Sequence, residues 1–211
     1  NALPADGCSP KCKLEKPIKP GDLVIVELMI DASATSDDKG EWVELYNAST
    51  QTVDINGLEF GNKSQVHVVA GVGDLPLAPG AVMVLAISAD PLVNGGVTAA
   101  YGYSSVQLTN GSNEVRITWA GKVVDSVTYS TGANGWPSFE SGRALQLSAD
   151  KHDAQSNDSG SAWCLASKTY GAGDKGTPGS KNAVCILDAD SDEVADALDN
   201  CKGKANADQA D

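Results

Sequence analysis

Aromatic side chains are scarce in this sequence: 4 Trp, 5 Tyr and 2 Phe make up 5% of 211 residues. A core of any size must then come mainly from Val, Leu, Ile and Ala. Histidine is rarer still, at 2. His67 and His152 stand far in sequence from the cysteines, and no paired C-x-x-C occurs, which argues against zinc. No apolar run approaches the roughly 18 residues of a membrane span. The longest, residues 81–89, is broken by Ser88. Lys and Arg form no cluster and the net charge is −13, so the phosphate contacts of a nucleic-acid binder have no footing. G-x-S-x-G, H-E-x-x-H, the P-loop and the dinucleotide fingerprint are all missing, and no enzyme is expected. The chain opens at Asn1 with no Met and no charged-then-apolar leader, and it reads as processed or trimmed.

What is present is a chain punctuated by 22 Gly and 9 Pro. Residues 1–20 are polar and Pro- and Lys-rich and read as a linker or tail. Leu23-Val-Ile-Val-Glu-Leu-Met-Ile30 is short and rich in β-branched residues, which favours a buried strand over a helix. Trp42-Val-Glu-Leu-Tyr-Asn47 predicts a second strand, with Trp42, Glu44 and Tyr46 on one face and Val43, Leu45 and Asn47 on the other. Asn56-Gly57 and Leu77-Ala-Pro-Gly80 are turn signals. Further strands are expected at 66–69, 81–87 and 144–147, with a hairpin of 115–119 and 123–129 around Ala120-Gly-Lys122. No sustained 3.6-residue period occurs before residue 188. Many short strands separated by turns predict an all-β sandwich or barrel.

Several motifs come in a telling order. Glu27-Leu-Met-Ile30 is followed by Glu41-Trp-Val-Glu-Leu-Tyr-Asn47, Val53-Asp-Ile-Asn-Gly57 and Leu77-Ala-Pro-Gly80. Trp136, Ser141-Gly-Arg-Ala-Leu145, Trp163 and Thr177-Pro-Gly-Ser-Lys-Asn182 come later. Residues 21–185 thereby resemble the lamin-tail domain in its bacterial secreted form. The resemblance implies an immunoglobulin-like β-sandwich of about nine strands and no catalysis. Bacterial copies of that family are accessory modules of exported nucleases, phosphatases or adhesin-like proteins.

Glu27 interrupts an otherwise apolar strand. The plain reading gives it an edge or solvent-facing position, since unpaired Glu is seldom buried. The sharper reading has Glu27 and Glu44 meet and share a cation or Arg143. Glu41 and Glu44 form a carboxylate pair of the kind glycosidases use, but no aromatic-lined cleft accompanies them. Trp119 and Trp136 read as packing. His67 reads as a satisfied strand residue and His152 as exposed in a polar loop.

Residues 186–211 are a separate acidic segment. Between 188 and 211, eight acids stand against Lys202 and Lys204, nearly half of the chain's net charge. Asp188-Ala-Asp-Ser-Asp192 puts three carboxylates at alternate positions, and Asp196, Asp199-Asn-Cys201 and Asn206-Ala-Asp-Gln-Ala-Asp211 follow. Calcium takes 6–8 hard oxygen ligands, which a D-x-D-x-D loop can wrap around one ion. The series resembles the thrombospondin type-3 repeat, D-x-D-x-D-G-x-x-D-x-x-D-N-C followed by N-x-D-Q-x-D. By that resemblance Asp188, Asp190, Asp192, Asp196 and Asp199 are calcium ligands, and Val194 contributes its backbone carbonyl. Asn206 and Asp208 match the second half. Glu193 stands where the pattern has Gly, and Asp211 would open a following repeat. An EF-hand fits less well than the type-3 repeat, because Asp199 occupies the place of its final Glu.

Five cysteines suit an exported protein in an oxidising compartment. Cys164 and Cys185 bracket a Gly-rich stretch that a bridge would staple, and Cys8 and Cys12 could close a small ring. Cys201 is then left over, its partner expected beyond residue 211. The rival scheme, Cys185 with Cys201, follows the pairing of cysteines that flank acidic loops in type-3 repeats. The expected function is a non-catalytic structural or binding module of an exported bacterial protein, secreted or at the cell surface, with calcium stiffening a C-terminal stalk. The alternatives are a calcium-dependent adhesin for carbohydrate or surface polymer, contacting through loops 31–40 and 131–138, or an accessory domain of an extracellular nuclease. The sequence names no ligand for the sandwich.

Overall fold

The computed structural model describes residues 16–186, 194 and 198–210. Within them the chain forms twelve strands, more than the nine implied by the family resemblance because several are only two or three residues long. They are β1 (Leu23–Met29), β2 (Trp42–Asn47), β3 (Val53–Asp54), β4 (Glu59–Gly61), β5 (Val66–Val68) and β6 (Pro76–Leu77). Then come β7 (Val82–Ala86), β8 (Tyr101–Gly102), β9 (Ser112–Trp119), β10 (Lys122–Ser130), β11 (Leu145–Leu147) and β12 (Trp163–Leu165). Helical structure among the described residues is confined to one turn at Asp37–Gly40 and 3-10 turns at Ser156–Asp158 and Gly160–Ala162. No helix there is long and apolar enough to cross a membrane.

The strands build a sandwich. One sheet has the order β12-β11-β1-β2-β7-β8 and the other β10-β9-β4-β5, while β3 and β6 form a small ribbon. All pairings are antiparallel except β7 with β8. The aliphatic composition fills the space between the sheets. Leu28, Val43, Leu45, Leu85 and Leu145 face Phe60, Val115, Ile117, Val127 and Tyr129 in one core, which also takes in Trp119 and Trp136. The expected hairpin forms, with a tighter turn than its sequence suggests. Trp119 pairs with Lys122, so the loop is only Ala120 and Gly121, both at positive φ (48° and 74°). That is the two-residue geometry whose twist matches the strands.

β1 is the keystone strand. It lies inside the larger sheet and all seven residues are buried. Half-buried strands alternate apolar and polar residues, whereas strands covered on both faces read as continuous apolar runs. One face of β1 meets the main core. The other belongs to a second, smaller core of Met29, Trp42, Val84, Ala86, Val97, Ala144 and Ala166, with Tyr170 packed against it. That outer face is roofed by the chain beyond residue 169.

A bulge interrupts β1 between Ile25 and Glu27. Bulges strand backbone groups that a ladder would pair. Two buried side chains from far away take them up. Asp125, itself at a bulge of β10, accepts from the Ile25 N–H at 2.7 Å and from the Asn157 amide at 2.7 Å. The same Asn157 amide reaches the Ile25 carbonyl at 3.2 Å. Burial pushes the Asp125 carboxyl up to about 6, against hydrogen bonds that pull it down.

Cys164 and Cys185 form a disulfide, as expected from their placement. Cys201 is free, so the rival pairing with Cys185 is overturned. Cys8 and Cys12 lie outside the described residues.

Asp125→Ala leaves the buried Ile25 N–H and one Asn157 amide hydrogen unpaired and should lower stability by about 2 kcal/mol in urea denaturation, with Asp125→Asn losing less. A loss below about 0.5 kcal/mol would count against this role. Cys164→Ser should cost roughly 3 kcal/mol on the chain-entropy account of a loop this long, read as the gap between oxidised wild type and variant. Equal midpoints for the two would contradict it.

Candidate functional site

The outer face of the larger sheet carries two acids in its floor. Glu27 and Glu44 are paired across β1 and β2, and both are fully buried. The edge or solvent-facing position expected for Glu27 is therefore wrong. The two carboxylates do meet, as the sharper reading has it, but Arg143 is not their partner. Its guanidinium goes to Glu140 and to the carbonyls of Ala166 and Leu165.

The partners come instead from a strap formed by residues 170–185. The Thr177 N–H donates to Glu27 Oε1 at 2.9 Å, and its Oγ1 lies 2.9 Å from Glu27 Oε2. The Gly179 N–H donates to Glu44 Oε1 at 2.6 Å. Glu44 Oε2 is buried without a hydrogen-bond partner among the described residues. Asn182 donates both amide hydrogens, to the Val26 carbonyl freed by the bulge (2.8 Å) and to the Leu147 carbonyl (2.9 Å). Its Oδ1 faces Thr177 Oγ1 at 2.9 Å.

Close packing of the strap depends on Gly176. A Cβ there would stand 3.0 Å from the Tyr170 ring, 3.1 Å from Trp42 and 3.2 Å from Glu27 Oε1. Tyr170 closes the roof by accepting the Trp42 indole N–H at 3.0 Å. Asp174 anchors the strap's start by accepting from the Ser33 and Ala34 N–H groups and the Ser33 hydroxyl. The disulfide at Cys185 anchors its end.

The electrostatics follow from this burial. Removal from water pushes Glu27 up to about 7, against the two Thr177 hydrogen bonds. It pushes Glu44 up to about 9, and the neighbouring Glu27 charge adds to the shift. A third acid, Glu41, is raised to about 8 by burial although it accepts the Leu108 N–H at 2.9 Å. Close to it, the Tyr103 hydroxyl is buried without a hydrogen-bond partner among the described residues.

Both histidines pack against tyrosine rings. His67 Nε2 meets the Tyr101 hydroxyl at 2.9 Å and its Nδ1 accepts from the Ser104 N–H at 3.3 Å. His152 is half-buried against the Tyr46 ring, less open than its polar neighbours imply. Among the described residues no group of three or more His, Cys, Asp or Glu side chains is placed to hold a metal ion.

Of the expected calcium ligands, Asp188, Asp190, Asp192 and Asp196 lie outside the described residues. Val194 is half-buried and Asp208 is exposed. The two ends of the described acidic segment fold onto each other. Asn200 donates its N–H to Gln209 Oε1 and its side-chain amide to the Gln209 carbonyl, both at 2.9 Å. Asn206 donates to Asn200 Oδ1 at 2.8 Å, and Gln209 Nε2 donates to Asp199 Oδ1 at 3.1 Å. Asp199 is buried, and its Oδ2 has no hydrogen-bond partner among the described residues.

Sequence reasoning missed Asp125, Asp174 and Asn182 as tie points. A usable signal is nevertheless present in the strands. An acid inside an apolar run, as at Glu27 or Asp125, requires a donor brought from elsewhere, and Thr177-Pro-Gly supplies a turn with free N–H groups.

Comparison with known proteins is consistent with this architecture. Residues 16–131, more than half of the chain, match the family described as Lamin Tail Domain. No curated protein and no solved structure matches. The match covers β1 to β10, while β11, β12 and the strap complete the larger sheet and its roof beyond it. With its sandwich and this match together, the chain belongs to the lamin tail domain family.

Proposed function

We propose that this chain is a non-catalytic structural and binding module of an exported bacterial protein, and that calcium orders its C-terminal acidic segment into a stiff stalk. The observation that carries the reading is the fit of residues 188–211 to the type-3 repeat pattern. The fold-back of its second half supports it. Asn206 and Gln209 are tied to Asp199 and Asn200, so the D-N-C and N-x-D-Q pieces stand side by side. A buried Asp199 oxygen with no hydrogen-bond donor among the described residues is what a hard cation would relieve.

The residues suit calcium rather than a softer metal. The candidate set is carboxylate and carbonyl oxygen: Asp188, Asp190, Asp192, Asp196, Asp199 and the Val194 carbonyl, with Asn206 and Asp208 from the second half. Bound calcium supplies no chemistry here. It neutralises clustered charge, and its binding energy becomes ordering energy for the segment. The strap leads directly into this segment, so a stiffened stalk would be held to the sandwich through Cys185 and Asn182. A disulfide-closed domain with a cation-requiring tail suits a secreted or surface location.

Calorimetric titration of the full chain should record calcium uptake at millimolar concentration or below. The double variant Asp190→Ala, Asp192→Ala should lose it while keeping the thermal midpoint of the sandwich. No uptake by the wild type, or undiminished uptake by the variant, would refute the proposal.

A further inference from the structure

The strap and the sheet are joined by a hydrogen-bond chain whose protons can be counted. Asn182 spends both amide hydrogens on the Val26 and Leu147 carbonyls, which fixes its Oδ1 as the atom facing Thr177. That oxygen can only accept. Thr177 Oγ1 stands 2.9 Å from Asn182 Oδ1 and 2.9 Å from Glu27 Oε2. A hydroxyl has one proton to give. With Glu27 ionised, two acceptors compete for it and one is left facing a lone pair in a buried site. A proton on Glu27 Oε2 resolves the conflict: Glu27 donates to Thr177, and Thr177 donates to Asn182.

Glu44 points the same way. Its Oε1 takes the Gly179 N–H and its Oε2 takes nothing among the described residues. An orphan oxygen costs little on a neutral carboxyl and much on a charged one. A metal ion is the poorer occupant. Both Glu27 oxygens and one Glu44 oxygen are engaged by the strap, leaving one free, whereas a hard cation takes six or more.

We propose that the Glu27–Glu44 pair is a proton-binding latch: protonated, it holds the strap of residues 170–185 on the sheet, and losing its protons loosens the strap where the chain passes into the acidic segment. Among the described residues, the groups that bond to or pair with the two carboxyls are neutral or acidic. On β1 and β2 these are the two acids themselves, and on β11 the buried Gln146 opposite Glu27. On the strap they are Thr177, Gly179, Asn182 and the Tyr170 hydroxyl, with Asp174 near that hydroxyl and turned to Ser33. No Lys, Arg or His among the described residues pairs with either carboxylate. No cation among those residues compensates the charge that deprotonation creates, and the Thr177 and Gly179 donors offset it only in part.

The direction with pH is fixed. Both carboxyls are raised above the ordinary 4.5, to about 7 for Glu27 and about 9 for Glu44. They interact directly and titrate as a pair. The folded state therefore holds more protons than the unfolded one across that window. The latch is whole below pH about 4.5, and its stability is lost as pH climbs through about 7 and about 9. Asp125 and Glu41 are also raised by burial and add to any alkaline loss, so only a comparison with variants reads the pair.

The test uses the full chain and the variants Glu27→Gln, Glu44→Gln and their combination. A Gln at 27 donates to Thr177 as the protonated acid does. Hydrogen exchange at the Thr177 and Gly179 amides should lose about tenfold protection between pH 6 and pH 9 in the wild type, beyond the chemical rate. In the double variant it should change by about twofold or less. Infrared difference spectra, wild type minus variant, should hold the carbonyl band of a protonated carboxylic acid at pH 6 that fades by pH 10. Parallel loss of protection in wild type and variants would overturn the latch, as would absence of that band. If the double variant fails to fold, Glu27→Gln alone takes its place in both measurements, and the same outcomes support or overturn the latch. Protection lost at pH 6 on chelation and restored by calcium, magnesium or zinc would also overturn it, in favour of a metal.

Discussion

Burial of β1 on both faces is the constraint on which the rest of this structure depends. A strand in the middle of a six-stranded sheet can leave its outer face to water if that face is polar. Here the outer face carries Met29 and is continued by Trp42, Val84 and Ala86 from neighbouring strands. Exposed, that surface would be a sizeable apolar patch; covered, each large side chain contributes roughly 1.5–3 kcal/mol. The strap supplies the cover. Its Gly176 permits the approach, Tyr170 caps the Trp42 indole, and Asp174 and the disulfide hold its two ends.

Covering that face creates the polar problems that the remaining tie points answer. A buried bulge leaves the Ile25 N–H and the Val26 carbonyl without ladder partners, and unpaired buried groups of this kind cost about 1–3 kcal/mol each. Asp125 reaches the first from the opposite sheet, and Asn182 reaches the second from the strap. These ties cross 100 and 156 residues of chain. They therefore fix how the second sheet and the strap sit on β1, a geometric role that their net energy alone would not reveal. The same enclosure makes Glu27 and Glu44 poor acids, because burial removes their water and the strap's amide and hydroxyl donors offset only part of that loss.

Much of the fold is legible in the sequence, because hydrophobic period and turn chemistry are local. The runs at β1 and β2, the Ala120-Gly121 reversal and the Cys164–Cys185 bracket all declare themselves. The alternation in β2 holds as well: Val43 and Leu45 enter the main core and Trp42 the outer one. The place of Glu27 escapes a local reading because its environment is set by a residue 150 positions away. A single strand pattern states which residues share a face. It does not state that a loop from the far end of the chain will roof that face. The continuous apolar character of β1 is the correct signal of two-sided burial, and in this strand it outweighs the general rarity of buried Glu.

The acidity of this chain is thus divided between two regimes. In the sandwich, four acids sit where water has been removed, and burial pushes Glu27, Glu41, Glu44 and Asp125 toward neutrality. Fixed N–H donors reach each of them. In residues 188–211 the acids are too dense along the chain for that solution, and their spacing suits a shared cation instead. The strap joins the two regimes, ending at Cys185 within three residues of Asp188. On the proposed readings, one stretch of chain is gripped at one side by protonated carboxyls and at the other by a metal-ordered loop. The two grips answer to different ions. The alkaline conditions that deprotonate the first favour the ionised carboxylates that the second requires, so the strap is most firmly held at both sides only between those extremes.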